Sequence, residues 1–481
     1  MLRTPEQYVE SLRDGRVVYQ DGERVKDIPS HPVFRESVER AASEYLVALQ
    51  PEYRKLFNVV EDGEEYSFTY RPPRTPEDIE RRRQICLTAH HLGIETRATG
   101  IDGLNGVAIT CNKVDAALGT NYGERIDNYR KWCQQHDPGI CGAVSDPKGN
   151  RELHADDPRQ KHKDFYLKIV DRTSDGIYIN GCKLHISHSI WQNELMCLPS
   201  RNHGQSAKDY AVACAVPANA KGVIFIGTGS QKWYGEAGRH PMIIFDNVFV
   251  PNERVFLAGE WQFSREAATS FGRYHRFFGD VHKCGWINSV VGLAMLIAEY
   301  NGLTHATRIQ DMLAWLAMYA EITEALGRAA ALTAVVEPES GFAVPNEVWT
   351  NCCKYFFASQ WHEAMKYLQD ITGGIAATMP SIKDWENPVT HPYIEKYLAG
   401  DAKYPTEERL QALNMVNMWG SALYGTRILH AEGSLSAQRL TLFRQVDWER
   451  YKAIARHDLG LPTDHPDYKG LSKEPLYKLP S

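Results

Sequence analysis

Three side chains in the stretch FGRYHRFFGDVHKCGWINSVVGLAMLIAEYNG, residues 271–302, have the types and spacing to do chemistry: His275, His282 and Lys283. They stand at i, i+7 and i+8, which on a helix is one face, two turns apart. Imidazoles placed there can take or give a proton near neutral pH, and a lysine can stabilise negative charge. Cys284 lies beside them, so the stripe also raises a metal site. A lone histidine in an apolar helix is usually a satisfied core residue. Two of them with a lysine on one stripe bring the odds to about even.

Three further segments carry site chemistry. Gly142–Arg151, GAVSDPKGNR, is turn-forming and sets Lys148 and Arg151 beside free backbone N–H groups. That suits an anion such as a pyrophosphate, although a solvated basic turn has the same composition. His185–Ser189, HISHS, ends a predicted strand. Alternation puts 185, 187 and 189 on one face and His188 on the other. Ser187 there offers a hydroxyl to a ring nitrogen. Gly433–Arg439, GSLSAQR, opens a short helix whose N-terminus can receive phosphate. His90 and His91 are adjacent, so they diverge and read as structural. The dinucleotide fingerprint G-x-G-x-x-G in a βαβ unit does not occur, which argues against a Rossmann domain.

The elements that must position these groups fall into zones. Residues 1–139 read as helical, with Thr-Pro starts at Thr4 and Thr75 and helical spacing over 31–48, 75–92 and 121–135. Residues 140–265 read as short strands. A Ser-Asp-Gly turn and an Asn-Gly turn within 165–187 mark hairpins, and about eight strands would close a barrel or sandwich. Residues 266–455 read as a helix bundle, with helices over 279–301, 308–337, 345–368 and 407–425 and a break at Gly373–Gly374. Residues 456–481 form a Pro- and Lys-containing tail. This order is α+β, and the junction between sheet and helices is where a cofactor crevice is expected.

Composition bounds the rest. The 481 residues call for two or three domains. A net charge of −6 argues against nucleic-acid binding as the main function, because that needs a basic face. The start is charged and lacks a secretory apolar core, and apolar runs stop short of the ~18 residues of a membrane span. The ten cysteines show no C-x-x-C motif, so free thiols in the reducing cytoplasm are expected.

Taken together, the chain resembles the 4-hydroxyphenylacetate 3-hydroxylase / 4-hydroxybutyryl-CoA dehydratase superfamily, whose fold is acyl-CoA-dehydrogenase-like. The resemblance runs nearly end to end. It rests on residues 8–35 (YVESLRDGRVVYQDGERVKDIPSHPVFR), on GAVSDPKGNR, on GIYINGCKLHIS at 176–187 and on IIFDNVFVPNERVF at 243–256. YHRFFG and LIAEYNG within 274–302, DITGGIAATMPS at 370–381 and EGSLSAQR at 432–439 complete it. The resemblance implies a helical N-terminal domain, a central antiparallel β domain and a C-terminal four-helix bundle, assembled as a homotetramer or homodimer. It also implies FAD between the domains. The family's flavin loop falls on Gly142, Ala143, Val144, Lys148, Gly149, Asn150 and Arg151, and its flavin-ring hydroxyl on Ser187. Its C-terminal flavin segment, with Gly433, Ser434, Gln438 and Arg439, is reached from a neighbouring subunit.

Two branches then diverge. The dehydratases hold a [4Fe–4S] cluster through Cys-x3-Cys, a histidine and a further cysteine. Those positions fall on Ile94, Ala98, His275 and His282, with Cys284 two residues out of register. Clusters are held chiefly by thiolates, so none is expected here. Two dehydratase glutamates fall on Arg427 and His240, while its lysine persists as Lys283. The hydroxylases' phenol-binding arginine, tyrosine and histidine fall on Ala98, Asp102 and Gly142; Arg97 adjoins the first. The expectation is a cytoplasmic two-component monooxygenase. It uses FADH2 from a separate NAD(P)H flavin reductase, takes O2, and hydroxylates a small aromatic or heteroaromatic molecule. His275 and His240 are assigned to substrate or flavin contacts, Lys283 to electrostatic support, and Arg97, Asp102 and His282 to the substrate side. The rival expectation is an FAD-dependent dehydratase or isomerase of acyl-CoA or carrier-linked substrates without a cluster.

Overall fold

Capping chemistry sets the first helices. In α1 (Pro5–Glu10) and α4 (Pro76–His91) the Thr4 and Thr75 hydroxyls accept from the N3 amides, and Gln7 and Asp78 return the bond. The structure, a computed structural model, describes residues 2–229 and 238–470. Between α1 and α4 lie strands β1 (Val17–Gln20) and β2 (Glu23–Val25), helices α2 (Arg35–Leu49) and α3 (Pro51–Phe57), and the hairpin β3 (Asn58–Glu61) with β4 (Glu64–Ser67). Then come α5 (Ala98–Leu118) and α6 (Tyr122–His136). The spacing over 31–48, 75–92 and 121–135 therefore forms helices as expected. The segment 98–118 is helical although its three glycines lower its propensity.

The central strands are β5 (Ile140–Ala143), β6 (Lys168–Arg172), β7 (Gly176–Lys183), β8 (Glu194–Cys197), β9 (Val212–Pro217), β10 (Val223–Ile226), β11 (Met242–Pro251) and β12 (Val255–Ala258). They make two open sheets, ordered β2-β1-β10-β11-β7-β6 and β12-β9-β8-β5. The N-terminal hairpin thus joins the larger sheet, with β1 parallel to β10. The sheets face each other across a shared core that includes Val18, Ile179, Phe225 and Ile243 from one and Cys141, Leu195, Cys214 and Val216 from the other. The opposite face of the smaller sheet, through Ile140, Met196, Ala213 and Ala215, packs on the helices.

Two turn readings change. Ser174–Gly176 does close the β6–β7 hairpin, with Thr173 N–H donating to Gly176 O. Asn180–Gly181 does not turn; Gly181, at φ +138°, stays in β7, where a side chain would strike the Leu167 backbone. The strand also ends at Lys183. His185 (φ +59°) and His188 (φ +68°) are left-handed, so the HISHS segment is a folded-back turn without strand alternation.

The C-terminal region is helical. It comprises α7 (Ser264–Tyr300), α8 (Thr307–Leu332), the short ladder β13 (Val335–Val336) and β14 (Ala343–Val344), and α9 (Glu347–Thr372). After the Gly373–Gly374 break come α10 (Ile375–Thr378), α11 (Ile382–Glu386), α12 (His391–Tyr397), α13 (Thr406–Trp419), α14 (Ala422–His430), α15 (Leu435–Gln445) and α16 (Trp448–Asp458). Helix α7 starts well before the expected residue 279. The expected helix over 407–425 is broken at Gly420–Ser421, where Ser421 caps α14. The apolar half of α7 packs with α8, α9 and α13 around Ile287, Leu316, Trp361 and Val416. The stretch Trp261–Tyr300 has a mean hydropathy of 1.3 in its most apolar window, enough for a membrane span by composition. That window is more than half buried against protein, which accounts for its character.

The contact that positions the site is made by glycines of α5. A Cβ on Gly100 would strike Ile140 O of β5, one on Gly103 would lie 3.0 Å from Met196 Cγ of β8, and one on Gly106 would strike the Phe271 backbone of α7. The i, i+3, i+6 spacing makes one bare stripe along α5. Gly106→Ala therefore forces two main chains apart and is expected to cost about 2–3 kcal/mol. Gly292→Ala, on the exposed face of α7 with nothing within 4 Å, should instead gain up to about 1 kcal/mol. Denaturant unfolding of both variants checks the contrast, and a neutral Gly106→Ala would contradict the packing.

Candidate active site

The α5 stripe carries Asp102 between its glycines, and α7 lays His275 against it. His275 Nδ1 stands 3.4 Å from Asp102 Oδ2, and the imidazole stacks on Phe271 at 4.7 Å. One helical turn on, Phe278 separates the two imidazoles of the stripe, with its ring 6.5 Å from His275 and 4.4 Å from His282. His282 also faces His90 at 6.3 Å, and Gly285 is bare because the His90 ring occupies the space of its Cβ. Burial, then the neighbouring His90 and Lys283, push the His282 imidazole down to about 3. It is a neutral group at working pH. His90, read from sequence as structural, belongs to this wall.

Lys283 is 1% exposed and its Nζ donates to Glu432 Oε2 at 2.6 Å. Glu432 crosses α7 over Gly279, where a Cβ would lie 2.5 Å from Glu432 Cδ. Its own backbone is left-handed at φ +53°, and its carbonyl accepts from Arg276 Nε at 3.3 Å and Gln438 Nε2 at 3.4 Å. Burial opposes ionisation, but the Lys283 and Lys354 ammoniums win and hold the Glu432 carboxyl down at about 2. Asp280, 0% exposed, shows the opposite outcome. Both its oxygens lack a hydrogen-bond partner, and burial drives its carboxyl well above the ordinary range despite Lys283. Lys354 donates to Ile428 O at 2.8 Å, and burial and Lys283 push its ammonium down to about 8. Cys284 points into the bundle instead, with its thiol on Thr323 O at 3.7 Å.

The 144–151 loop leaves β5 at Ala143. Gly142 is packed by Thr99 O and Phe271, so only glycine fits there. Lys148 (φ +70°) and Gly149 (φ +55°) curl the loop around Gln160, whose amide donates to Lys148 O, Asn150 O and His154 O and accepts from Asn150 N–H. Burial, then Arg151, push the Lys148 ammonium down in spite of Asp146. Asp146 itself is held by Lys183 at 2.9 Å. The loop therefore concentrates positive charge that an anion would relieve. Ser187 Oγ lies 2.8 Å from His240 Nδ1, and His240 N–H donates to Thr228 Oγ1 at 2.9 Å. The turn that carries Ser187 is pinned by His188, stacked 5.7 Å from Trp191, while Glu95 takes Trp191 Nε1 at 3.1 Å and pairs with Arg239.

In the C-terminal segment Ser434 caps α15 by accepting from Ala437 N–H. Gln438 holds the Glu432–Gly433 turn, and Arg439 donates to Tyr355 Oη at 3.0 Å from Nε and 2.5 Å from Nη2. Arg97 stands apart from the expected substrate set. It is 3% exposed, pairs with Glu44 and Asp137 at 3.3 and 2.5 Å, and lies 4.4 Å from the Tyr45 ring. Both carboxylates are spent on it. Ile94 sits in the apolar cluster of α2 and α4. Among the described residues no three His, Cys, Asp or Glu gather as metal ligands.

The profile of the 4-hydroxyphenylacetate 3-hydroxylase N-terminal domain matches residues 4–257, and that of the C-terminal domain matches residues 264–460. The chain belongs to the 4-hydroxyphenylacetate 3-hydroxylase family. Within it, the chain is 30% identical over 96% of its length to all of the 4-hydroxybutyryl-CoA dehydratase/vinylacetyl-CoA-Δ-isomerase of Clostridium aminobutyricum. It is 26% identical, over 88% of this chain and 89% of the relative, to the oxygenase component of 4-hydroxyphenylacetate 3-monooxygenase of Thermus thermophilus. The archaeal 4-hydroxybutyryl-CoA dehydratase from N. maritimus superposes with a TM-score of 0.89 at 29% identity over 98% of both chains. A 4-hydroxyphenylacetate 3-monooxygenase oxygenase component solved with FAD and 4-hydroxyphenylacetate gives 0.84 at 23% identity, over 95% of this chain and 98% of that one. The expected α+β, acyl-CoA-dehydrogenase-like architecture is the one found.

Sequence reasoning brought His275, Asp102, His282, Lys283, Ser187 and His240 into view. It missed Glu432, Asp280 and Lys354, although Glu432 directly precedes the Gly-Ser cap. The Lys283–Glu432 pair has a pH signature. Glu432 is depressed in the folded chain, so its stabilisation is complete above its unfolded value of about 4.3 and is lost as pH falls towards 2. Glu432→Gln should destabilise by about 3 kcal/mol at pH 7 and flatten the acid limb. Denaturant melts from pH 7 to 3 on both proteins read this out, and an unchanged acid limb would refute the pairing.

Proposed function

We propose that this chain is the oxygenase component of a two-component, reduced-FAD-dependent monooxygenase acting on a small hydroxylated aromatic molecule. The observation that carries the reading is a contrast within one site. The cationic 148–151 loop and the Ser187–His240 pair fit a flavin, while Ile94 and Ala98 offer no thiolate where the dehydratase cluster would need one. A separate NAD(P)H flavin reductase and O2 complete the system, in the cytoplasm. The neighbouring subunit of a homotetramer or homodimer brings Gly433, Ser434, Gln438 and Arg439 to the cofactor.

The cofactor's pyrophosphate would be held by Lys148, Arg151 and the amides of Gly149 and Asn150. Gly142, Ala143 and Val144 lie at the loop's root, and Ser187 and His240 face the ring. When bound, reduced FAD supplies the electrons that activate O2. The chain's own contribution is positional. The apolar wall of Phe271 and Phe278 excludes water. His275, with its Nδ1 3.4 Å from Asp102 Oδ2, is placed to hold or move the proton of a bound hydroxyl. Neutral His282 lines the substrate side, and the Lys283–Glu432 pair fixes the α7 face beneath it.

A second reading, a cluster-free FAD enzyme acting on acyl-CoA or carrier-linked substrates, draws on the full-length similarity to the Clostridium dehydratase and on Lys283. Anaerobic titration with reduced FAD, followed by O2-dependent hydroxylation with a reductase present, tests the first reading. Tight binding of oxidised FAD and its reduction by an acyl thioester would favour the second. Iron and sulfide analysis runs alongside. On the first reading, Ser187→Ala should weaken FAD about five- to tenfold. His275→Ala should slow hydroxylation about 10²- to 10⁴-fold while FAD affinity holds.

A further inference from the structure

Lys183, the last residue of β7, is 1% exposed, and its ammonium is spent at the root of the 144–151 loop. An ammonium has three donors and no acceptor. Here Nζ meets Val144 O at 2.8 Å, Leu198 O at 2.9 Å and Asp146 Oδ1 at 2.9 Å. Lys183 thus joins the start of the loop to the residue that follows β8. Leu184 N–H adds a bond to Ser145 O at 2.8 Å. Asp146, 6% exposed, also accepts from Leu167 N–H at 3.1 Å, so the chain leaving β5 is tied to the chain entering β6. A buried charge is tolerated when it is paired and hydrogen-bonded, and both partners here are. The surrounding charges are otherwise positive. Lys148 and Arg151 make no ion pair among the described residues. Arg201, from the segment after β8, adds its charge to theirs and donates to Tyr166 Oη at 3.0 Å. His203 stands near the pair, and burial holds its imidazole down at about 4. Asp146 is the carboxylate that favours the charged form of Lys148. Released from Lys183, it would occupy cations that the loop otherwise offers to an anion.

We propose that Lys183 is a positioning residue for the flavin: by taking the Asp146 carboxylate and the Val144 carbonyl, it leaves Lys148 and Arg151 open to the cofactor's pyrophosphate. Lys183 has no donor left for the cofactor and acts through Asp146. The inference rests on the flavin reading of the loop and deepens it with a residue from β7, outside the loop itself. The sign of the effect separates this role from plain support. Removing the Lys183 charge frees a carboxylate beside the anion, which opposes binding. Removing the Asp146 charge leaves one more cation there, which favours it. Both changes break the same buried pair, so a merely structural role would move cofactor affinity the same way in each.

The test titrates reduced FAD anaerobically into wild type, Lys183→Met, Asp146→Asn and the double variant. Inorganic pyrophosphate is measured on the same four proteins by equilibrium dialysis. Lys183→Met should weaken both ligands about 10- to 100-fold. Asp146→Asn should bind both at least as tightly as wild type, although each single variant melts at a lower temperature. The double variant, which restores the charge balance, should return to within about threefold of wild type. Single variants that weaken FAD alike, a Lys183→Met that binds like wild type, or a double variant as weak as Lys183→Met overturn the proposal. Should Lys183→Met not fold, the other two variants decide, and weakened binding in either overturns it. Pyrophosphate keeps the two ideas apart. A wild type that binds pyrophosphate but not FAD sinks the proposed function, while the four-way comparison with pyrophosphate still decides the role of Lys183. A wild type that binds neither ends both.

Discussion

Everything near the site depends on how closely α5 can approach its neighbours. Gly100, Gly103 and Gly106 remove the side chains from one stripe, so backbone meets Ile140 of β5 and Phe271 of α7. Such approach is available only to glycine, and it carries an entropic cost that the burial on both sides must offset. Asp102 is carried on the same turns. Once the three main chains are locked, a carboxylate in α5 and an imidazole in α7 are set 3.4 Å apart without either lying on a loop. Sites built on packed helices are held more tightly than sites on loops. The same lock joins the β sandwich to the bundle, because β5 leads directly into the 144–151 loop.

A second constraint fixes the far side of α7. Four charged groups, Asp280, Lys283, Lys354 and Glu432, are withdrawn from water together. Their environments push the two carboxyls in opposite directions: the Lys283 and Lys354 ammoniums hold Glu432 down, while burial drives Asp280 up. The arrangement ties the turn before Gly433 to the middle of α7. Gly279 makes room for it, and the strained backbone of Glu432 is a cost the ion pair covers. The C-terminal segment is thereby registered to the helix that bears His275 and His282.

Much of this was legible in the sequence, and the failures have physical reasons. The stripe His275–His282–Lys283 was readable because helical periodicity survives in an apolar helix. The capped starts of α1 and α4 were readable because Thr-Pro followed by Gln or Asp at N3 is local chemistry. Helix α5 was not, because its glycines are chosen for the partner backbones and against local propensity; tertiary packing overrides the rule. The Asn180–Gly181 pair misled for the same reason: its glycine answers to Leu167 across the sheet, not to a turn. Arg97 looked like a stand-in for a missing arginine on the basis of adjacency alone. In the fold its neighbours are Glu44 and Asp137, which lie far away in sequence. Glu432 and Arg82 were equally silent, since a charged residue on an amphipathic helix or in a turn has no local mark of burial.

The position of Asp102 bears on how one fold serves different chemistries. The site is a gap between α4, α5 and α7, and the glycine stripe fixes its width whatever the lining residues are. With that width held constant, exchanging a few side chains on the facing turns changes what the gap can hold. A carboxylate on α5 and a guanidinium from α4 give the gap charged groups of both signs among apolar walls. The backbone lock and the side-chain selection are therefore separable. The first is written in glycines that touch main chain, and the second in residues such as Arg82 and Asp102 that line the cavity between the helices.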